Sequence, residues 1–291
     1  MLSGEYVILD GAVGIALPTV YGQSLHIARQ ETTTISWKSF AVDDSVWFEA
    51  ELDVIRLEII SASDADTALM LQKILKQAKK LNPEFLNDSQ GYFTESFLGF
   101  DRSWGLGSSS TLINNIAQWA QVDAHQLLWN AFSGSGYDIA SAQHNIPILY
   151  HLKDGRPLVE EADFNPKFKD QLYFIHLNQK QDSREGIANY RNQSFDKSAL
   201  ITRISAITEQ MLKCASLAEF EVLLQTHERL ISESLNLSTV QSEKFTDYEG
   251  AIKSLGAWGG DFILATGNED APNYFKEKGY NTVIPFSEMI L

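Results

Sequence analysis

The sequence predicts an α+β protein of two domains. Apolar residues alternate over most of the first 60 residues, which is the pattern of β-strands. Near residue 65 the apolar spacing becomes helical, and from residue 172 a strand, a long helical region and further strands follow. A chain of 291 residues is long enough for two domains, which we place at residues 1–165 and 166–291.

Composition and charge narrow the range of functions. The chain is 44% hydrophobic and 21% charged, which is typical of a globular protein, and its net charge of −15 argues against nucleic acid or an anionic membrane as a partner. Its one cysteine, Cys214, rules out an internal disulfide and a cysteine-cluster metal site. The sequence has no run of 18 apolar residues and no signal-peptide pattern. We therefore expect a cytoplasmic protein.

The elements of the first half follow one another closely. We predict strands at residues 4–9, 24–28 and 31–37, a hairpin at residues 46–60, a helix at residues 65–81 and a strand at residues 92–100. The helix has one apolar face and ends before Pro83.

A glycine-rich stretch lies between that last strand and the next helix. It reads Trp104, Gly105, Leu106, Gly107, Ser108, Ser109, Ser110, Thr111. The first N–H groups of a helix have no partner within it, so a turn of this kind suits a phosphate group. An ordinary N-capped helix that binds nothing is the alternative. The stretch is neither a P-loop nor a dinucleotide fingerprint, since Ser110 stands where the third glycine would be.

A second stretch of small residues follows a short helix that Asp123 is predicted to cap and that runs to residue 131. In this stretch Ser135 and Gly136 lead into another predicted helix, which has Asp138 in its first turn. The carboxylate could serve the helix dipole alone, or it could belong to a site.

The second half is predicted to alternate strands and helices. We expect a hairpin at residues 146–162, a strand at residues 172–177, and a helix that begins after a polar loop near Ser183 and Arg184. Residues 195–234 look helical with a break near Ser216, and a further helix is expected to run to about residue 255. A third glycine cluster, at residues 255–261, precedes a buried strand at residues 262–266, a helix at residues 271–278 and a strand at residues 280–285.

Together, the three glycine-rich stretches resemble the motifs of the GHMP family of small-molecule kinases, which includes galactokinase, homoserine kinase, mevalonate kinase and phosphomevalonate kinase. Residues 4–11 resemble the first family motif, residues 105–110 match the ATP phosphate loop, and residues 253–260 resemble the third motif. The Gly-Tyr-Asp-Ile-Ala run at residues 136–140 is similar to a bacterial subgroup associated with the mevalonate pathway.

The resemblance implies a fold and an activity. It implies a two-domain GHMP kinase fold, with an N-terminal ATP-binding domain that resembles part of a ribosomal protein and a ferredoxin-like C-terminal domain. It also implies Mg²⁺-dependent transfer of the ATP γ-phosphoryl group to mevalonate or phosphomevalonate. Family habit alone would suggest a homodimer.

The family roles carry over to individual positions. Asp138 would be the catalytic aspartate, and Ser109 would contact Mg²⁺. The nucleotide would be bound by Trp104, Gly105, Leu106, Gly107, Ser108, Ser109, Ser110, Gly256, Ala257, Gly259 and Gly260. The acidic substrate would be bound by Glu5, Tyr6, Ser135, Gly136, Ser183 and Arg184.

The chain also departs from the family pattern. The family lysine that precedes the first motif would lie before Met1, and Leu127 stands where a Mg²⁺-binding glutamate is expected. Trp258 and Asp261 replace small residues in the third motif. Two further interpretations stay open. One is an enzyme like diphosphomevalonate decarboxylase, which shares the family scaffold and also uses ATP. The other is a non-catalytic homologue that binds a metabolite or nucleotide, which the missing lysine and glutamate favour.

Overall fold

The computed structural model describes residues 1–181, 183–256 and 258–291, with Ser183 described by its backbone alone. Two compact units make up the chain, and they interleave along the sequence. The first contains Met1–Val20, Ser103–Gly105 and His144–Leu291, and the second contains Tyr21–Arg102 and Leu106–Gln143. The division at residue 165 stays a prediction.

The strands and helices have the following bounds. The strands are β1 (Gly14–Ala16), β2 (Gln23–Gln30), β3 (Thr34–Phe40), β4 (Val46–Asp53), β5 (Ile59–Ala62), β6 (Gly91–Leu98), β7 (Ile148–Lys153), β8 (Arg156–Glu161), β9 (Leu172–His176), β10 (Ile252–Ser254), β11 (Phe262–Thr266) and β12 (Val283–Pro285). The α-helices are α1 (Ala65–Leu81), α2 (Ser108–Ala120), α3 (Ala124–Ala131), α4 (Tyr137–Ala142), α5 (Ser183–Asn192), α6 (Lys197–Lys213), α7 (Leu217–Leu235), α8 (Val240–Lys244), α9 (Ala271–Glu277) and α10 (Phe286–Met289).

The second unit is a five-stranded sheet with four helices. Its strand order is β2-β6-β3-β4-β5, and β3 and β6 form the parallel pair. Alternate residues of β3 and β4 are buried, including Trp37 and Phe48, and they belong to the same core as the apolar face of α1 and the buried residues of α2 and α3. Burial of this apolar surface is the main force that fixes the start of α2 relative to α4.

The first unit contains two antiparallel sheets. The smaller has the order β1-β7-β8, and the larger has the order β10-β11-β9-β12. From β9 to β12 the chain runs strand, helices, strand, strand, helix, strand, which is the ferredoxin-like arrangement that the family resemblance implies. All five residues of β9 and of β11 are buried, so these two central strands lie between packed layers.

Two predicted elements are wrong. Residues 4–9 do not form a strand, because Gly4 and Tyr6 have positive φ angles of 96° and 58° and the chain turns into a short 3-10 helix at Val7–Asp10. The helix that was expected to reach residue 255 ends with α8 at Lys244, and β10 follows because it pairs with β11. No helix in the described part of the chain is long and apolar enough to cross a membrane.

Candidate active site

The glycine-rich stretch at residues 104–110 ends in the first turn of α2. Gly107 is the N-cap residue with φ 75° and ψ 35°, and no side chain caps the helix there. A residue with a β-carbon pays roughly 1–2 kcal/mol in this left-handed conformation, which explains the glycine. The first turn consists of Ser108, Ser109 and Ser110, and Leu106 precedes the cap. The N-terminus of α2 therefore offers backbone N–H groups and the positive end of the helix dipole, as the sequence predicts.

The carboxylate of Asp138 lies beside this helix N-terminus. A β-carbon placed on Gly107 would be 3.7 Å from both Cγ and Oδ1 of Asp138. Asp138 is in the first turn of α4, and burial raises its pKa above the ordinary value. The second unit thus brings the predicted catalytic aspartate close to Gly107 of the predicted phosphate loop.

Polar contacts hold the start of α2 to the sheet. The Thr111 hydroxyl donates to Oε1 of Gln23 at 2.6 Å, and Nδ2 of Asn115 donates to the Gln23 carbonyl at 2.9 Å. The Gln23 amide in turn donates to the Ser96 hydroxyl on β6 at 2.7 Å. These bonds fix the position of the helix N-terminus, which an anion-binding site requires.

The described residues offer little for a metal ion beyond the helix terminus. Ser109 is exposed in the first turn of α2, while Leu127 is fully buried in the core and supplies no ligand. Asp123 is the N-cap of α3, where its Oδ1 accepts from Gln126 N at 2.7 Å. No group of three or more His, Cys, Asp or Glu side chains in the described part of the chain could hold a metal ion.

Residues 103–105, which include the first glycine of the phosphate loop, belong to the first unit and pack on its larger sheet. Trp104 contacts Phe262 edge-to-face with ring centroids 5.5 Å apart, and His176 Nε2 donates to the Ser103 carbonyl at 3.2 Å. A β-carbon on Gly105, whose φ is 65°, would collide with the Asp261 carboxylate. The acid that departs from the third motif therefore requires glycine at the first position of the phosphate loop.

Asp261 is held in place by the segment before α5. Its Oδ1 accepts from Gln181 N at 3.3 Å, and its own N–H donates to the Gln179 carbonyl at 2.8 Å. Burial raises the pKa of Asp261, while the Gln181 N–H and the nearby His176 and Lys180 oppose this effect. The third glycine-rich turn and the polar loop before α5 are thus adjacent within the first unit.

Glu5 lies in a buried network of ionisable groups. Its Oε1 is 2.6 Å from Lys253 Nζ, and its Oε2 is 3.2 Å from His227 Nε2. Lys253 Nζ also lies 3.7 Å from Glu228 Oε1 and donates to the Ser254 carbonyl at 2.8 Å. The exposed fraction of Glu5 is 4%, so its predicted contact with a substrate stays a prediction. What the geometry gives directly is an ion pair between the first and third motifs.

The network holds two carboxylates against one ammonium group. Burial, with Glu5 nearby, raises the pKa of Glu228 from 4.5 to about 7 although Lys253 opposes the shift. Burial lowers the pKa of His227 well below 6.5, and its Nε2 accepts from Gly4 N at 3.0 Å, so the imidazole is neutral. Glu228 therefore changes its charge near neutral pH, and His227 does so only in acid.

Tyr6 connects the first motif to the third and to α5. Its hydroxyl accepts from Trp258 N at 2.8 Å, and its ring stacks on Tyr190 with centroids 5.9 Å apart. A β-carbon on Gly186 would collide with the same hydroxyl. These contacts explain why a buried tyrosine tolerates a positive φ angle, since tertiary packing outweighs the local strain.

The predicted site residues thus fall into two groups. The second unit brings Leu106, Gly107 and the three serines together with Asp138, and with Ser135 and Gly136 just before it. The first unit brings Glu5, Tyr6 and the third turn together, with Gly260 packed against Gln181 near the start of α5. Gly256 and Gly259 belong to this turn, Arg184 is exposed on α5, Ala257 lies outside the described residues, and of Ser183 only the backbone is described.

Several residues that contact these groups could not be identified from the sequence. His227 and Glu228 sit on α7, more than 220 residues from Glu5, and nothing local distinguishes them from other polar residues of a helix. Lys253 stands at the start of the third motif, and that position was the one available signal. His125 and Trp129 on α3 also contact the segment before Asp138.

Comparison with solved structures identifies the fold. The mevalonate kinase of Methanococcus jannaschii is similar over 97% of this chain and 92% of its own, with a TM-score of 0.68 and 16% identity. The phosphomevalonate kinase of Streptococcus pneumoniae, solved with phosphomevalonate and AMPPNP, is similar over 95% of this chain and 92% of its own, with a TM-score of 0.68 and 13% identity. The galactokinase of Lactococcus lactis, solved with galactose, is similar over 95% of this chain and 85% of its own, with a TM-score of 0.66 and 12% identity.

No family model and no curated protein matches the sequence. The structural likeness nevertheless covers nearly the whole chain, and it confirms the α+β, two-domain fold that the motifs predict. This protein has the fold of the GHMP kinases.

Proposed function

We propose that this protein is an ATP-dependent kinase that transfers the γ-phosphoryl group to a small acidic acceptor, mevalonate or phosphomevalonate. The observation that carries the proposal is the 3.7 Å separation between the Asp138 carboxylate and the β-carbon position of Gly107. Phosphoryl transfer needs an anion site beside a group that orients or deprotonates the acceptor. The start of α2 and Asp138 supply these two parts, and both helices, α2 and α4, contribute buried residues to the same core.

Asp138 acts on the acceptor oxygen. For a hydroxyl acceptor, the carboxylate takes the proton while the oxygen forms a bond to the γ-phosphorus and the bond to the β–γ bridging oxygen breaks, releasing ADP. Burial raises the pKa of Asp138, which brings it closer to neutral pH and makes it a stronger base than an exposed aspartate. For a phosphate acceptor no proton need be removed, and Asp138 then serves to position the oxygen.

The start of α2 fits a nucleotide phosphate. Gly107 has no side chain between the helix N–H groups and an approaching anion, and no side chain caps the helix. Mg²⁺ binds chiefly through phosphate oxygens and water, so one exposed hydroxyl at Ser109 is compatible with the family role. When bound, Mg²⁺ neutralises phosphate charge. Ser108, Ser109 and Ser110 orient the phosphates through their N–H groups.

The acceptor is assigned to a wider set of side chains. Ser135 and Gly136 adjoin Asp138 in the chain, and Arg184 would match a carboxylate or phosphate with two parallel hydrogen bonds. Tyr6 and Ser183 complete the proposed acceptor contacts, whereas Gly256, Ala257, Gly259 and Gly260 of the third turn are proposed to bind the nucleotide. We assign the protein to the cytoplasm and propose a homodimer.

The test is ADP formation in the presence of single acceptors. Mevalonate, phosphomevalonate, diphosphomevalonate, homoserine and galactose would each be supplied with MgATP, and CO₂ release would be followed in parallel. Turnover with mevalonate or phosphomevalonate and no CO₂ supports the proposal. Release of CO₂ from diphosphomevalonate would instead identify a decarboxylase.

A non-catalytic protein is the second candidate, because Leu127 leaves the second family Mg²⁺ ligand absent. Tight binding of a non-hydrolysable ATP analogue without turnover of any acceptor would favour it. Binding would be measured by isothermal titration calorimetry with and without Mg²⁺.

A further inference from the structure

Two side chains of α3 donate hydrogen bonds to the segment that precedes Asp138. His125 Nε2 donates to the Gly136 carbonyl at 3.1 Å, and Trp129 Nε1 donates to the Gly134 carbonyl at 3.1 Å. The two residues are one helical turn apart on the same face of α3, and their rings pack with centroids 5.5 Å apart. Both carbonyls belong to the short loop that precedes α4.

This loop determines the position of Asp138. Gly136 is the N-cap of α4, so its orientation fixes the direction in which α4 begins and the position of Asp138 in the first turn. The far end of α4 is also tied down, because Gln143 Nε2 donates to Asn114 Oδ1 of α2 at 2.9 Å. The helix that carries Asp138 is therefore held at both ends, by α3 and by α2.

The two donors differ in exposure, because His125 is buried and Trp129 is half-buried. His125 is buried, and burial lowers its pKa, so the imidazole is neutral near pH 7 with its proton on the nitrogen that faces the carbonyl. Its helix starts at a side-chain-capped N-terminus at Asp123, and Leu127 and Leu128 of the same helix are in the core. A loop of small residues has many accessible conformations, and the hydrogen bonds from α3 restrict them.

We propose that His125 and Trp129 are positioning residues that hold the Asp138 carboxylate beside the N-terminus of α2. The proposal rests on the proposed kinase function, in which Asp138 acts on the acceptor. The two side chains touch neither nucleotide nor acceptor in this account. They act by restricting the Gly134–Gly136 carbonyls, and misplacement of a reacting group by about 1 Å can cost about 100-fold in rate.

The experiment compares variants that remove or keep each donor. His125→Leu and Trp129→Phe keep most of the apolar volume but lose the N–H group, whereas His125→Gln keeps a donor near the Nε2 position. Trp37→Phe is the matched control, since Trp37 is a buried tryptophan of the same core whose Nε1 donates to Ser39 at 3.0 Å. Circular dichroism and thermal melting would confirm that each variant is folded.

Two readouts separate positioning from general structure. With the acceptor that the ADP-formation assay identifies, we expect kcat to fall about 10- to 100-fold in His125→Leu and Trp129→Phe. The Kd for an ATP analogue should change less than about twofold. His125→Gln should recover most of kcat, and Trp37→Phe should leave it unchanged. The pKa of Asp138, followed by NMR of carboxyl-labelled aspartate with Asp138→Asn for assignment, should move toward its ordinary value in His125→Leu.

The NMR readout keeps the proposal testable without turnover. If the wild type turns over no acceptor, the proposed function fails. An Asp138 pKa that shifts in His125→Leu and not in Trp37→Phe would still support the positioning role of His125 and Trp129. An unchanged Asp138 pKa in His125→Leu and Trp129→Phe would overturn it. An equal loss of kcat in Trp37→Phe would overturn it as well.

Discussion

Replacing Glu228 by glutamine is expected to stabilise the protein in mild alkali and to leave it unchanged in acid. Glu228 is 2% exposed and shares one ammonium group, Lys253, with Glu5. Above its raised pKa the folded protein must keep two carboxylates beside one cation. Glutamine resembles the protonated acid, and its carbonyl can still accept from the Ser254 hydroxyl, which now lies 3.2 Å from Glu228 Oε2.

The size of the effect follows from the pKa. A folded pKa of about 7 against 4.5 for the unfolded chain corresponds to about 3 kcal/mol, at about 1.4 kcal/mol for each pH unit. Because the folded pKa is raised, this contribution is fully present below pH 4.5 and is lost as the pH rises through 7. His227 has a lowered pKa and acts in the opposite sense, with stability lost as the pH falls below 6.5, but it is present in both proteins and cancels in the difference.

The assay is thermal unfolding of wild type and Glu228→Gln at pH 5, 6, 7 and 8. About 3 kcal/mol corresponds to roughly 6–12 °C in Tm, so the variant should melt that much higher at pH 8 and within about 2 °C of the wild type at pH 5. Glu233→Gln is the control, because Glu233 lies on the same helix and is exposed. A Tm difference between wild type and Glu228→Gln that does not depend on pH would refute the reasoning.

Three further substitutions test other parts of the structure. Lys253→Met leaves Glu5 and Glu228 as uncompensated buried acids, so we expect a loss of about 3–5 kcal/mol in urea denaturation at pH 8; an equal or higher denaturation midpoint would contradict the buried ion pair. Asp123→Ala removes the N-cap of α3 and should cost about 0.5–2 kcal/mol in the same assay, with no loss counting against that cap. Gly107→Ala puts a β-carbon on a residue with φ 75°, at 3.7 Å from the Asp138 carboxylate, and we expect calorimetry to show ATP-analogue binding weakened by about tenfold or more. Unchanged binding would argue against a phosphate site there.

Local signals were enough to predict much of the fold. The helix at residues 65–81 is found with the same bounds, because Asp64 caps it through Thr67 N at 2.8 Å and the chain meets Pro83 shortly after its end. The N-cap at Asp123 and the first-turn position of Asp138 are likewise set by neighbouring residues. In each case residues within a few positions decide the conformation.

The wrong secondary-structure predictions occur where contacts between residues far apart in the sequence determine the conformation. Residues 4–9 alternate like a strand, yet Tyr6 takes a left-handed conformation because its hydroxyl meets Trp258 N and its ring meets Tyr190. Residues 252–254 pair with β11 rather than continuing a helix. The ion pair between Glu5 and Lys253 spans 248 residues of chain, so its partners become visible only in the folded protein.

The candidate site divides in the same way. Motif spacing indicated both the phosphate loop and Asp138, and the structure places Gly107 of this loop beside Asp138 in one unit. The support from His125 and Trp129 could not be predicted, since a histidine and a tryptophan on a partly buried helix are ordinary core residues in a sequence. The acceptor is also not encoded in any single stretch.

The most direct test of the account is the rate of phosphoryl transfer by Asp138→Asn. With the acceptor found in the ADP-formation panel, kcat would be measured for wild type and variant, and the Kd of an ATP analogue would be measured for both. We expect kcat to fall by about 10²- to 10⁴-fold with Kd nearly unchanged, because asparagine fills the same space beside Gly107 but cannot accept a proton. Turnover by Asp138→Asn within about tenfold of the wild type would contradict the central claim that Asp138 acts on the acceptor beside the N-terminus of α2.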